Sequence, residues 1–405
     1  MIGSSRRGEP LKGVRVLDLG IITAGASTSA ILADLGAEVI KIESPRYIDP
    51  FRMWKGRDEG EDWWNRSRFF HFTNRNKKGI SLDLKAAEGR SLFLDLVAKS
   101  DIVVENFRRG VLERLSLTYR VLADRNPGII LVSVTSQGET GPEREVASFG
   151  STLEAVAGLA SMTGYPEDGP LISGLGLNYP DQVVSLFAAG AAVAALRSRQ
   201  ASGRGAHLDI SQRELTTFLV GEAIVAAEPV RRTGNAAPEY VLQDCFRAAD
   251  GRWVAVSMAE GQSVPGSAPP AEGSAELRDR LARWIAGRVA EDAVSALQHG
   301  GIAASPVLDG ADVLDWVERN GGAALARGPD GNPVKGLPFA FRGAPPTIHC
   351  PAPRLGEHTA AVLRDVLALD EAEIERLLAG PVTGSEPASA RPRGGRDRPT
   401  EDQER

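Results

Sequence analysis

The chain has 405 residues, 42% hydrophobic and 25% charged, with a net charge of −6 and two cysteines, Cys245 and Cys350. That length exceeds a usual single domain, so more than one compact unit is expected. The acidic balance excludes a broad nucleic-acid-binding face, and two distant cysteines exclude a disulfide framework or a cysteine zinc site, so a reducing, cytoplasmic setting is expected.

The first half alternates strand and helix signals. Val14 to Leu19 is a β-branched run ending at Gly20, and a helix pattern over 27–35 follows, closed by Gly36. Glu38 to Glu43 reads as the next strand. A helix over about 88–99, a strand at 101–104, a helix around Ala123 and a strand over 128–134 continue the series. Such alternation predicts an α/β fold with a parallel sheet covered by helices.

From Pro180 a long helix is predicted over 181–200, ended by the Ser202-Gly203-Arg204-Gly205 turn. Its apolar stretch, Val183 to Leu196, falls short of the roughly 18–20 residues that span a bilayer, so it reads as a core helix with no membrane role. The polar N-terminus has no signal-peptide core. His207 to Ser211 is a further strand, followed by an apolar helix to about Ala227. The polar stretch Val230 to Glu239 is the expected domain boundary. An Ala-rich helical pattern at 275–298 lies beyond it, interrupted upstream by the Gly/Pro/Ser-rich segment Gly261 to Gly273. Helix is expected again over 354–378, with Asp370 and Glu373 as a capping pair. The Arg/Pro/Gly-rich end should be disordered.

Three constellations carry chemical meaning. In the first, the turn after Leu19 (Gly20, Ala24, Gly25) suits close approach of an anion to a helix N-terminus, and Glu43 stands where a dinucleotide fold places its ribose-binding acid. Gly20-x-x-x-x-Gly25 is nevertheless not GxGxxG, and no P-loop lysine follows. In the second, Asp181 precedes the apolar helix directly. It serves either as an N-cap or as a carboxylate nucleophile beside helix N–H donors, and the two roles are compatible. The third comprises Asn74-Arg75-Asn76-Lys77-Lys78-Gly79, Asn106-Phe107-Arg108-Arg109 and Arg114, each near a strand end and able to bind phosphate. None of the five histidines lies between 72 and 206, and GxSxG and HExxH are absent. Serine hydrolysis and metal chemistry are therefore disfavoured, and no metal site is expected. His207 reads as structural. The aromatic segment Trp54, Trp63, Trp64, Phe69, Phe70 reads as core or as an acid pocket.

In order along the chain, LKGVRVLDLG, LADLGAEVIKIESP, TNRNKKGISLDLKAAEG, DIVVENFRRGVLERL, SQGETGP, LEAVAGLASMTGYPEDGP, AALRSRQASGRGAHLDIS and PAPRLGEHTAAVLRDVLAL resemble the family III CoA transferases of the formyl-CoA/carnitine type. The resemblance implies a Rossmann-like large domain made of both chain ends plus a smaller α/β domain, with two subunits interlocked like chain links. It divides the chain into 11–228 (large domain), 229–345 (small domain), 346–380 (return to the large domain) and 381–405 (disordered tail). It implies CoA transfer from an acyl-CoA to a free carboxylic acid through a mixed anhydride and an aspartyl-CoA thioester. Asp181 would be the carrier, at the family's spacing from Leu196. CoA contacts would fall on Thr23, Ala24, Leu82, Asp83, Leu84, Lys85, Asn106, Phe107, Arg108 and Arg114. No permanently bound cofactor is implied; the CoA thioester is a co-substrate. Two other readings share this fold, an acyl-CoA isomerase or racemase and a non-catalytic CoA-binding subunit of a heteromer. Against the racemase, Phe149 stands where that branch needs a histidine. The loop Gly234-Asn235-Ala236-Ala237-Pro238 is glycine-poor where the formyl-CoA enzymes carry a flexible glycine-rich loop.

Overall fold

A computed structural model describes residues 9–54, 60–173, 178–226, 231–266, 274–321, 325–339, 341 and 348–388. Two compact units emerge. The first comprises Met1–Glu154, Ser173–Leu219 and Gly322–Arg405, the second Ala155–Ile172 and Val220–Gly321. The segments 155–172 and 220–228, expected in the large domain, thus group with the small unit, and 322–345 groups with the large one.

Six parallel strands build the first unit: β1 (Arg15–Asp18), β2 (Glu38–Glu43), β3 (Lys77–Ser81), β4 (Ile102–Glu105), β5 (Ile130–Thr135) and β6 (Ala206–Ser211). Their order, β3-β2-β1-β4-β5-β6, is that of a doubly wound sheet, which binds ligands beyond the carboxyl ends of its strands where the order reverses. The reversal lies between β1 and β4.

Strand periodicity explains why these runs are apolar throughout. Val16, Val39, Ile102, Ile130 and Val132 face one helical layer with Ile31, Leu32, Val184, Ala188 and Ala192. Their neighbours Leu17, Ile40, Val103 and Leu131 face the other, with Phe93, Leu96, Val362, Ile374 and Leu377. A sheet buried on both faces needs both sets of alternating side chains to be apolar. The C-terminal chain supplies part of the second layer through helices Thr359–Asp365 and Glu371–Ala379, so the single helix expected over 354–378 is two. Asp370 caps the second, accepting from Glu373 N at 2.9 Å. Order also continues past 380: Val382 is buried, and Ala388 N bonds Pro45 O at 2.8 Å. Residues 381–388, expected within the disordered tail, are therefore ordered, and residues 389–405 lie outside the described ones.

β3 has no counterpart among the expected strands, because two lysines open it. Lys77 is fully buried there. Its ammonium donates to Asp18 Oδ2 (2.8 Å), Ala26 O (2.7 Å) and Asn74 Oδ1 (2.7 Å). Arg75 and Asn76 close on Asp34, at 3.0 Å from Arg75 Nε and 2.8 Å from Asn76 Nδ2. The basic cluster expected to bind phosphate is thus internal at 74–77, where it consists of satisfied ion pairs.

The second unit holds an antiparallel sheet, β7 (Leu242–Arg247), β8 (Trp253–Met258) and β9 (Ala303–Val307), packed under helices Ser274–Ala286 and Ala290–His299. The Ala-rich pattern at 275–298 is this helix pair. Of the segment Gly261 to Gly273, residues 267–273 lie outside the described ones. The glycine-poor loop is tied down within the unit. Gly234 N bonds Gly164 O at 3.0 Å, and Asn235 Nδ2 reaches both Tyr165 Oη and Asp244 Oδ1 at 2.9 Å.

Removing one member of a buried pair leaves a charge uncompensated, at a cost of about 3–5 kcal/mol. Lys77→Met should lower stability by that amount in denaturant titration. Adding Asp18→Asn should restore part of it, since no unpaired charge then remains. A single variant as stable as the wild type would contradict this account of the pair.

Candidate active site

The turn after β1 begins with Asp18, fully buried, whose Oδ1 accepts from Gly20 N at 2.8 Å. Gly20 and Gly25 are obligatory for a steric reason. A Cβ on Gly20 would lie 2.4 Å from the Gly25 carbonyl carbon, and one on Gly25 would lie 2.5 Å from Asn106 Oδ1. Asn106, just past β4, grips the turn through both amide atoms. Its Oδ1 accepts from Ile21 N (2.7 Å) and its Nδ2 donates to Ile21 O (3.1 Å). Ile22 sits at φ 60°, a strained conformation for a β-branched residue. Asp49 supports it by accepting from Ile22 N at 3.1 Å. Thr23 and Ala24 then open the helix Ala24–Asp34.

The helix carrying Asp181 runs Tyr179–Ser202, with Asn178 as its N-cap and Pro180 in its first turn. It starts two residues before the expected position, so Asp181 is a third-position residue and not the cap. Gly203, at φ 70°, ends it. Small residues let this helix lie close to Ala24–Asp34. Ser185 Oγ donates to Asp181 O (2.6 Å) in its own helix and to Ala24 O (3.1 Å) in the other. The nucleophile candidate is thereby fixed relative to the turn after β1.

Asp181, Thr23, Ala24, Leu82, Asp83, Leu84, Lys85, Asn106, Phe107, Arg108 and Arg114 all line one cavity of about 1410 Å³. Pockets for small ligands span about 300–1,000 Å³, so this space suits a long ligand. Arg46, Arg90, Arg109 and Arg144 add further positive charge to its wall. Asp83 fixes the loop after β3: its carboxylate accepts from Lys85 N at 3.1 Å and pairs with Arg46 at 3.1 Å. Glu43 also touches the cavity, but Arg52 occupies its carboxylate at 2.7 Å. It is therefore unsuited to the ribose role. Trp54 lines the cavity, whereas Trp64 and Phe70 are core residues.

One oxygen of Asp181, Oδ1, accepts from Gln212 Nε2. The other has no hydrogen-bond partner among the described residues. Burial pushes the carboxyl above its ordinary range, opposed by the Gln212 hydrogen bond and by the charge of Lys335. Lys335, whose ammonium contacts Gln182 Oε1, is itself brought down to about 8 by burial and by Arg75. The helix terminus thus favours the anion, while desolvation sharpens its basicity.

Gln212 and Glu105 were not singled out from the sequence. Gln212 follows a strand end as an ordinary polar residue, and nothing in its neighbourhood marks it. Glu105 closes β4 and accepts from Phe107 N at 2.8 Å, bracing the Asn106–Arg108 turn from below; burial lifts it to about 7. His207 bonds Ser133 Oγ at 3.0 Å and stacks on Tyr119. It lines a separate cavity of about 220 Å³ with Glu105.

A succinyl-CoA–D-citramalate CoA-transferase of Chloroflexus aurantiacus is 32% identical, covering 93% of this chain and 99% of that protein. The alpha subunit of a succinyl-CoA–L-malate CoA-transferase from Chloroflexus aurantiacus is 31% identical over 93% of each. Among solved structures, a CAIB/BAIF family protein from Brucella suis superposes with a TM-score of 0.78 at 29% identity, over 91% of this chain and all of that one. Residues 11–359 match CoA-transferase family III, and the chain belongs to that family.

Proposed function

We propose that this CoA transferase uses Asp181 as a covalent carrier, moving CoA from an acyl-CoA to a free carboxylic acid. The observation that carries the reading is the Asp181 carboxylate itself. It stands in the large arginine-lined cavity, with one oxygen held by Gln212 and the other without a hydrogen-bond partner among the described residues. The free oxygen attacks the thioester carbon and expels CoA thiolate, giving a mixed anhydride. The thiolate then attacks the aspartyl carbon and releases the donor acid. The acceptor carboxylate and the thiolate repeat both steps in reverse order. Covalent catalysis of this kind divides one difficult transfer into easier ones.

Arg46, Lys85, Arg90, Arg108 and Arg114 line the cavity and would bind the CoA phosphates. The two relatives named for succinyl-CoA with citramalate or malate support succinyl-CoA as donor and a dicarboxylic acid as acceptor. A racemase reading lacks its second base: Phe149 lines the cavity, and no histidine does among the described residues.

The interlocked homodimer is part of the same proposal. Leu186, Phe187 and Val193 on the 179–202 helix, and Phe218 nearby in sequence, are exposed, which suits a covered apolar interface. One relative is named as an alpha subunit, so mixing with a second chain is the alternative assembly. Sedimentation should give a dimer that does not dissociate on dilution to low micromolar concentration. A rapid monomer–dimer equilibrium would count against interlocking.

Asp181→Asn should abolish exchange between succinyl-CoA and dicarboxylic acids while free CoA still raises the melting temperature, because the amide is nearly isosteric. A residue serving only the helix terminus would lose a few tenths of a kcal/mol on that change, with activity retained. Hydroxylamine should trap a hydroxamate on Asp181 in the wild type, and an adduct on another residue would overturn the assignment.

Lys335 gives a pH test. Its positive charge lowers the Asp181 pKa, and Asp181 must be ionised to attack. Lys335→Met should therefore move the acid limb of the kcat/KM profile to higher pH. An unmoved limb would show that Lys335 does not act on the carrier.

A further inference from the structure

Gln212 is 7% exposed and opens the helix Gln212–Phe218, directly after its cap Ser211. The cap accepts from Glu214 N at 3.2 Å, and Gln212 O accepts from Thr216 Oγ1 at 2.7 Å. The Gln212 backbone is therefore held on a strand-to-helix corner while its side chain lines the cavity and donates to Asp181 Oδ1. Only the amide nitrogen suits that contact, since an amide oxygen would face an anion.

We propose that Gln212 is a catalytic oxyanion donor for the steps that occur at the aspartyl carbon. This rests on Asp181 being the covalent carrier. Once Asp181 Oδ2 has joined the acyl group, Oδ1 is the carbonyl oxygen of the anhydride, already against Gln212 Nε2. CoA thiolate adds to the aspartyl carbon and the carbonyl electron pair moves onto Oδ1. As that pair returns, the bond from carbon to Oδ2 breaks, and the donor acid departs as its carboxylate with Oδ2. In the reverse sense, the acceptor carboxylate adds to the aspartyl thioester, Oδ1 again takes the pair, and CoA thiolate leaves. Every entering and leaving group is an anion, so no proton moves and a neutral donor suffices.

The timing of the charge makes the contribution differential. A carbonyl oxygen in the anhydride or thioester is a weaker acceptor than the oxyanion formed on it, so the hydrogen bond strengthens in the transition state. The first step is different. There Gln212 already holds the carboxylate, and the bond offers attack by Oδ2 no advantage. A cationic donor in the same place would depress the carboxylate's nucleophilicity further, whereas an amide moderates that cost.

The test separates these steps. Gln212→Met and Gln212→Ala variants are mixed with succinyl-CoA, quenched rapidly and examined by intact-protein mass spectrometry, alongside melting and CoA-binding measurements. The adduct carrying only the acyl group should form at a near-normal rate. Its conversion to the adduct carrying CoA should slow about a hundredfold or more, so the acyl adduct accumulates where the wild type shows little. Conversion within threefold of the wild type in either folded variant would overturn the proposal. Equal slowing of both adducts would also overturn it, reducing Gln212 to a positioning residue. Loss of folding in both variants would make the amide structural and overturn it as well. A wild type that forms no adduct on Asp181 would instead remove the carrier assignment itself, before any variant is compared.

Discussion

The first turn of the large unit rests on a buried charge network. Lys41 from β2 and Lys77 from β3 have no solvent exposure at their side chains, nor do their partners Asp49 and Asp18. Four ionised groups in an apolar interior carry a large desolvation cost, which only close pairing and a full set of hydrogen bonds offsets. Lys77 meets that condition with three acceptors. Lys41 pairs with Asp49 at 3.1 Å and donates to Gly20 O at 2.5 Å. Because the carboxylates also accept from Gly20 N and Ile22 N, the network constrains the backbone that leads into Thr23 and Ala24. The positive φ at Ile22 persists because this surrounding structure overdetermines it.

From that turn, order passes to the Asp181 carboxylate through backbone contacts. Ala24 O receives the Ser185 hydroxyl, and Ser185 stands one helical turn beyond Asp181. The close approach needs small residues, which explains why Ala26, Ala30, Ala188 and Ala192 are all fully buried. A bulkier pair of helices would move Asp181 away from Thr23, Ala24 and the other residues that line the cavity with it. Packing and the placement of Asp181 are therefore one constraint: the Ala-rich face that makes the 179–202 helix look like plain core also sets where its first turn points.

Much of this was legible in the sequence. Alternating apolar runs defined β1, β2, β4, β5 and β6 to within about two residues, because strands buried on both faces cannot hide their composition. β3 escaped, since its opening lysines do not read as strand and only the fold reveals the buried partner of Lys77, Asp18 on β1. The same blindness made Asn74 to Lys77 look like a phosphate site. Asp181 stood out through its place before an apolar helix, although Asn178, not Asp181, is the cap. Gln212 could not be found in this way. Its role depends on a contact across 31 residues of chain, and no local pattern distinguishes it from a surface glutamine.

The residue types around Asp181 suit the chemistry proposed for them. Thioester, carboxylate and anhydride exchange proceeds entirely between anions, so a general acid or base has nothing to transfer. An imidazole at Phe149 would add a protonatable group without a task. What the exchange does need is a desolvated carboxylate of raised basicity, a hydrogen-bond donor on the oxygen that becomes an oxyanion, and cations to hold a polyphosphate far larger than the reacting atoms. In the proposed reading, burial of Asp181 would supply the first and the Gln212 amide the second. The arginines and Lys85 lining the cavity are suited to the third. Binding energy from distant phosphates could then be spent at the thioester, so on the proposed reading a cavity of about 1410 Å³ would serve a reaction confined to a few atoms.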